Sequence, residues 1–228
     1  MIRTSSLFSA LLLATSPLAA QVDGRHLRPG TDTMTVSYEG QVIGHSIQVI
    51  RAVKENGVDA WSQAYLFESA QGGNSWDSLW VGARTLLPLR ELRGADGKRT
   101  VIHWSRTSVT TVEYGTAGDS TVTTAELAGA VYASASFAEI ARALPLADGF
   151  RTTVALYFPR PATNGTVATT MYVTAPETVE VRGRGARKAW VVTADGAIGR
   201  TVFWVDVKDR SLLQFDTYEG PSRIEFRR

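Results

Sequence analysis

The 228-residue chain predicts an all-β fold, a mainly antiparallel sheet curled into a barrel or half-barrel with one amphipathic helix. Three observations predict it. From Thr31 onward, short runs rich in Val, Thr, Tyr, Phe and Trp alternate apolar and polar residues with period two. Gly, Asn and Asp pairs punctuate those runs at hairpin spacing. One convincing segment changes to helical spacing. A two-sheet sandwich is the rival architecture, because strand count and alternation do not separate it from a curled sheet.

Taken in order, Met34, Val36 and Tyr38 alternate with Thr33, Thr35 and Ser37, and Glu39-Gly40 turns the chain into a second strand over Val42 to Val53. Asn56-Gly57 is the strongest hairpin signal, since both residues tolerate the positive φ of a primed turn, and it leads into Trp61 to Phe67. Five short strands follow, Trp76 to Val81, Leu86 to Leu92, Thr100 to Trp104, Val109 to Tyr114 and Ser120 to Thr124, in the manner of a meander. A second run reads Thr152 to Phe158, Val167 to Val173, Glu177 to Val181, Ala189 to Thr193, Thr201 to Val207, Leu212 to Tyr218 and Arg223 to Phe226. Between the runs, Phe137, Ile140, Ala141 and Leu144 share one helical face. Ser136 and Glu139 have capping-box spacing, and Pro145 ends the segment. The helix is expected against the concave face or mouth of the sheet. Pro159 to Gly165 reads as a long turn between strands, so residues 31–228 form one β-rich domain, preceded by a flexible segment over 21–30.

Residues 1–20 read as a secretory signal peptide. Arg3 precedes the apolar run Leu7 to Leu13, and Ser16-Pro17-Leu18-Ala19-Ala20 supplies small residues before Gln21, with cleavage expected after Ala20. The apolar run is far shorter than the ~20 residues needed to cross a bilayer, and no later segment reaches that length. The expected location is therefore periplasmic or secreted. With no cysteine, the chain has no disulfide, no thiolate chemistry and no Cys-ligated zinc. A formal charge of +2 provides no basic footprint for nucleic acid.

Catalytic signatures are sparse. His26, His45 and His103 are widely spaced and form neither HExxH nor HxH, so no metal site or cofactor is expected. GxSxG and Ser-x-x-Lys are absent, and His45-Ser46 cannot form a dyad because strand neighbours point to opposite faces. Asp206, Asp209, Asp216 and Glu219 read as solvated turn charges. Arg182-Gly183-Arg184-Gly185 lacks the Lys-Ser/Thr ending of a phosphate loop; with Arg187 and Lys188 it offers a basic turn that could touch an anionic headgroup or acidic partner. No residue is assigned a catalytic role.

The remaining signal is aromatic. Large rings bury much area at low entropic cost and either fill a core or line an apolar cavity. The candidate ligand-binding residues are Tyr65, Phe67, Trp76, Trp80, Trp104, Phe137, Ile140, Leu144 and Trp204, with the helix as a gate.

The order and spacing of Gly40 and Gly44, Ser75-Trp76-Asp77-Ser78-Leu79-Trp80-Val81, Thr85-Leu86-Leu87-Pro88, Leu144-Pro145-Leu146 with Gly149-Phe150, Lys188-Ala189-Trp190-Val191-Val192 and Phe203-Trp204-Val205-Asp206 resemble a family of exported bacterial proteins catalogued as a domain of unknown function. The resemblance covers most of residues 31–228 and implies a curved antiparallel sheet with an apolar concavity, similar in shape to periplasmic lipoprotein carriers. It carries over no catalytic residue. The Arg-rich stretch from Arg182 to Lys188 departs from that family's small-residue turn. The leading expectation is an exported, non-enzymatic protein of the cell envelope that holds a lipid, acyl chain or other apolar ligand in its concavity. The alternatives are an envelope protein-interaction module with a packed core, and a hydrolase using His45 or His103 with a carboxylate.

Overall fold

The computed structural model describes residues 22–159, 165–197 and 199–228. The leader and its cleavage site, and the middle of the Pro159 to Gly165 turn, lie outside the described residues.

Turn chemistry sets the first arm of the sheet. Glu39-Gly40, Asn56-Gly57 and Asp96-Gly97 all take positive φ at both positions, 48° and 79°, 50° and 82°, and 49° and 77°, the backbone that a tight right-twisted hairpin needs. They join β1 (Gly30–Tyr38) to β2 (Gln41–Glu55), β2 to β3 (Val58–Ser69), and β5 (Pro88–Ala95) to β6 (Lys98–Trp104), with β4 (Asn74–Gly82) between β3 and β5. β7 (Ser108–Tyr114) and β8 (Ser120–Glu126) complete this arm. The second arm comprises β9 (Tyr132–Ala133), β10 (Arg151–Phe158), β11 (Gly165–Val181), β12 (Gly185–Gly196), β13 (Gly199–Asp206), β14 (Leu212–Glu219) and β15 (Ser222–Arg227). Two expected strands, Val167 to Val173 and Glu177 to Val181, are one strand with a bulge at Ala175-Pro176, where proline cannot donate to the ladder. Leu86 is a buried turn residue with φ of 55°, so β5 starts two residues later than expected.

Among the described residues, fifteen strands lie in one sheet, in the order β8 to β1 followed by β15 down to β9. The arms meet where β1 pairs with β15, and only β9 and β10 run parallel. The two outermost strands do not pair. Instead the sheet rolls up as a scroll, and one edge laps over the other. Val154, Leu156 and Phe158 of β10 face the interior core, whereas Tyr157, on the opposite side of that strand, packs with Ile102, Val109 and Val131. Tyr157 meets Trp104 edge-on at 5.5 Å, and its hydroxyl pairs with that of Thr111 at 3.2 Å. Burial on both faces explains the unbroken apolar run from Val154 to Phe158.

The interior is filled at one end by α1 (Phe137–Ala143), entered through a 3-10 turn over Ser134–Ser136. Seven residues are too few to hold a helix in water; burial holds it. Ile140, Ala141, Ala143 and Leu144 are wholly inaccessible. So is Glu139, and Arg142 nearly so, which makes α1 a buried plug, not a helix with one wet face. The Ser136 and Glu139 capping box does not form: Ser136 Oγ donates to the Ala133 carbonyl at 2.9 Å, and Glu139 accepts from Gln48 Nε2 at 2.5 Å. Part of the segment before β1 is also packed down. Gly24 and Leu27 are buried, Asp23 N–H donates to the Ala143 carbonyl at 3.0 Å, and the Trp61 indole N–H reaches the carbonyls of Gly24 and Ala83, each at 3.0 Å. Among the described residues no helix is long and apolar enough to cross a membrane.

Candidate functional site

Next to the plug the roll holds a half-open cavity of about 360 Å³ with two chemically different walls. Strand register builds both. On one side Phe203, Phe215 and Phe226 lie opposite one another on β13, β14 and β15. Their rings stack, with centroids 5.8 Å apart for Phe203 and Phe215 and 3.8 Å for Phe215 and Phe226, and Phe137 of α1 meets Phe203 edge-on at 5.2 Å. On the other side a polar row crosses five strands in register: Asp32 beside Gln48, Gln48 beside Tyr65, Tyr65 beside Asp77, and Asp77 beside Arg93. All but Arg93 line the cavity directly, together with Ser46. Thr201 and Thr217, a hydroxyl pair 3.4 Å apart, line both this space and a smaller one of about 150 Å³ reaching Gly196, Gly199 and Glu219.

Burial sets the electrostatics of the polar wall. It pushes the Tyr65 hydroxyl up to about 12, with Ser46 opposing the rise and Asp77 adding to it. It also raises Asp77 above the ordinary carboxylate range against the pull of Arg93, 3.5 Å away. One strand position deeper, Glu91 is inaccessible and bonded to Arg93 Nε at 2.5 Å; burial raises it against Arg93, and the indole N–H of Trp104 stands near it without hydrogen-bond geometry. Gln63, two strands away in the same row, has both amide atoms buried with no hydrogen-bond partner among the described residues. The wall therefore offers hydroxyl, amide and carboxyl hydrogen-bonding groups to whatever fills the space.

The aromatic candidates divide by strand parity. Tyr65 and Phe137 line the cavity. Phe67 faces the same interior but lies over Gly44, where a Cβ would meet its ring at 3.0 Å. Ile140 and Leu144 are core. Trp76 and Trp80 lie on the convex face: Trp76 is 37% exposed and rests on Gly94, where a Cβ would stand 2.3 Å from its indole nitrogen, and Trp80 carries Arg90 at 4.4 Å. Trp204 is also convex, bonded through its indole N–H to Glu177 and packed on Val179, Val181, Ala189 and Leu213. Trp104 belongs to the overlap, lining a separate, largely apolar cavity of about 590 Å³ with Leu87, Pro88, Leu127 and Val131. His26, His45 and His103 are all exposed and away from the cavity. Asp206 and Asp216 are not solvated turn charges. Each is buried, Asp206 under Arg187 at 2.6 Å and Asp216 under Arg223 at 2.6 Å and Arg227.

Phe215, Phe226, Asp32, Gln48 and Asp77 are missing from the sequence-derived set, although a signal for some of them exists. Gln48 and Tyr65 are equidistant from the Asn56-Gly57 turn, as Phe203 and Phe215 are from Asp209, so hairpin arithmetic places each pair side by side.

No curated protein matches the chain. Among solved structures, the chain is similar to a β-barrel-like protein of domain of unknown function DUF1849 from Brucella abortus, at 12% identity and a TM-score of 0.59 over 91% of this chain and 96% of that one. At that identity the likeness concerns the fold alone. The family model described as "Protein of unknown function (DUF3108)" matches residues 33–227, from the middle of β1 to the last residue of β15. Coverage of both arms and their junction places the chain in that family: it belongs to the DUF3108 proteins of unknown function.

Proposed function

We propose that the protein is an exported, non-enzymatic binder of an apolar molecule with a hydrogen-bonding end, held in the cavity between the phenylalanine stack and the polar row. The carrying observation is the pairing of those two walls across about 360 Å³. That volume falls within the range of small-molecule sites, which combine apolar walls with a few placed polar groups. A lipid or acyl chain fits this chemistry, its tail against Phe203, Phe215 and Phe226 and its polar end toward Tyr65 and Asp77. The envelope location rests on the leader pattern of residues 1–20, and sequencing the N-terminus of exported protein tests it.

The experiment is native mass spectrometry of protein recovered from a bacterial periplasm, followed by solvent extraction. An added mass that extracts as an apolar molecule is expected. Ala138→Trp, which places an indole in the cavity from the first turn of α1, should remove the added mass while thermal unfolding stays cooperative. A bare polypeptide mass, together with no displaceable binding of an apolar fluorophore, would overturn the proposal.

A further inference from the structure

At the far end of α1 from Phe137 the roll holds a different cavity, of about 240 Å³. Its lining carries four guanidinium groups, Arg28, Arg142, Arg184 and Arg228, against two carboxylates, Asp32 and Asp209. Arg28 and Arg184 are exposed at its rim. Arg142 and Arg228 are sunk, with side chains only 5% and 8% exposed. A guanidinium has five N–H donors and cannot shed its charge. Among the described residues Arg142 hydrogen bonds through Nε alone, to the Arg210 carbonyl at 2.8 Å. Its Nη1 is 4.0 Å from Glu139 Oε1 and is buried without a hydrogen bond. Arg228 pairs with Asp32 through Nη2 and leaves Nε buried and unbonded. Ser211 Oγ, also in this lining, is a third buried group without a partner among the described residues.

A desolvated charge with unused donors is costly unless an anion meets it. Asp209 is already engaged by the Ser211 N–H at 2.8 Å and faces Arg187 at 3.8 Å, and Asp32 is held by Arg228. We propose that this cavity is a binding site for a phosphate-class oxyanion, gripped from within by Arg142 and Arg228 and at the rim by Arg28 and Arg184. Guanidinium forks match the oxygens of phosphate, which accepts several charge-assisted hydrogen bonds at once. The four guanidinium groups outnumber the two lining carboxylates, and even with Glu139 4.0 Å behind Arg142 the site keeps an excess of positive charge for an oxyanion. The rim arginine from the β11–β12 turn gives the basic stretch from Arg182 to Lys188 a structural partner, the buried end of α1.

The test is calorimetric titration of inorganic phosphate into the full chain at constant ionic strength, with chloride as the exchanged anion. Saturable binding at one site is expected. The double variant Arg28→Ala, Arg184→Ala alters only exposed side chains, so it keeps the fold, and it should weaken phosphate binding at least tenfold. No binding above the chloride control at about 10 mM phosphate, which corresponds to less than ~3 kcal/mol of affinity, would overturn the site. So would a double variant that binds as tightly as the parent. Cosedimentation with phosphatidylcholine vesicles containing phosphatidic acid separates the sources: sedimentation displaced by phosphate and lost in the double variant assigns a lipid headgroup, and phosphate binding without sedimentation assigns the free ion.

Discussion

At the residue scale, the protein puts ionisable groups where a sheet interior ordinarily has none. Asp77, Glu91 and Glu139 are all raised by burial, against Arg93 in the first two cases and Arg142 in the third. A carboxyl raised in the folded state contributes stability that is complete below its unfolded value and is lost as pH climbs through its folded value. Glu139→Gln removes one such loss, so the stability of this variant relative to the parent should increase as pH rises from 4 toward neutrality, in urea titrations at stepped pH. A difference that stays flat with pH would mean that Glu139 carries no shifted proton. The sequence could not disclose this group's setting, since Glu139 three residues after Ser136 has the spacing of an exposed cap. Tyr65 and Phe137 were legible as cavity residues because they are large, aromatic and in patterned segments. Trp76, Trp80 and Trp204 share those traits, yet period two says only that neighbours diverge and never which set faces inward.

At the scale of elements, the strands were legible and the helix only in part. Alternation and primed turns depend on local backbone sterics, so β1 to β8 emerge close to their expected spans. What α1 does depends on partners distant in sequence. Its C-terminal end is held by Arg210, which takes φ of 59° and donates Nη1 to the carbonyls of Arg142 and Leu144, each at 2.9 Å. Arg210→Ala leaves those buried acceptors unmet and should cost about 1–3 kcal/mol in chemical denaturation. Ile140 is wholly buried in the interior core. Ile140→Ala should cost about 2–5 kcal/mol, with ligand retention unchanged in the fraction that stays folded. Loss of retention without loss of stability would make it a gate. The short parallel strand β9 left no trace in the pattern, because two residues carry no period.

For the whole molecule, the curled sheet was legible as a class, whereas the overlap was not, since Tyr157 becomes buried only when β6 and β7 arrive over β10 from the other arm. The β1–β15 junction has a kinetic consequence. Nearly every other strand pair joins chain neighbours through a short turn, so each arm can zip from local hairpins. The junction instead unites positions such as Asp32 and Arg228, 196 apart in sequence, and closing a loop of that size costs about 5 kcal/mol of chain entropy before any contact offsets it. Folding should therefore wait on that single encounter. Val36→Ala, which trims the side chain opposite Phe226 in the junction, should slow refolding by most of its equilibrium cost of about 2 kcal/mol. Val109→Ala, in the overlap that can settle only afterwards, should mainly speed unfolding in stopped-flow chevrons. Equal effects on both limbs for the two variants would place the slow step elsewhere. A chain that spends time as two separate half-rolls exposes its interior rings to the surrounding medium in that interval, so a ligand can settle against them as the halves join, before the mouth of the cavity has taken its final shape.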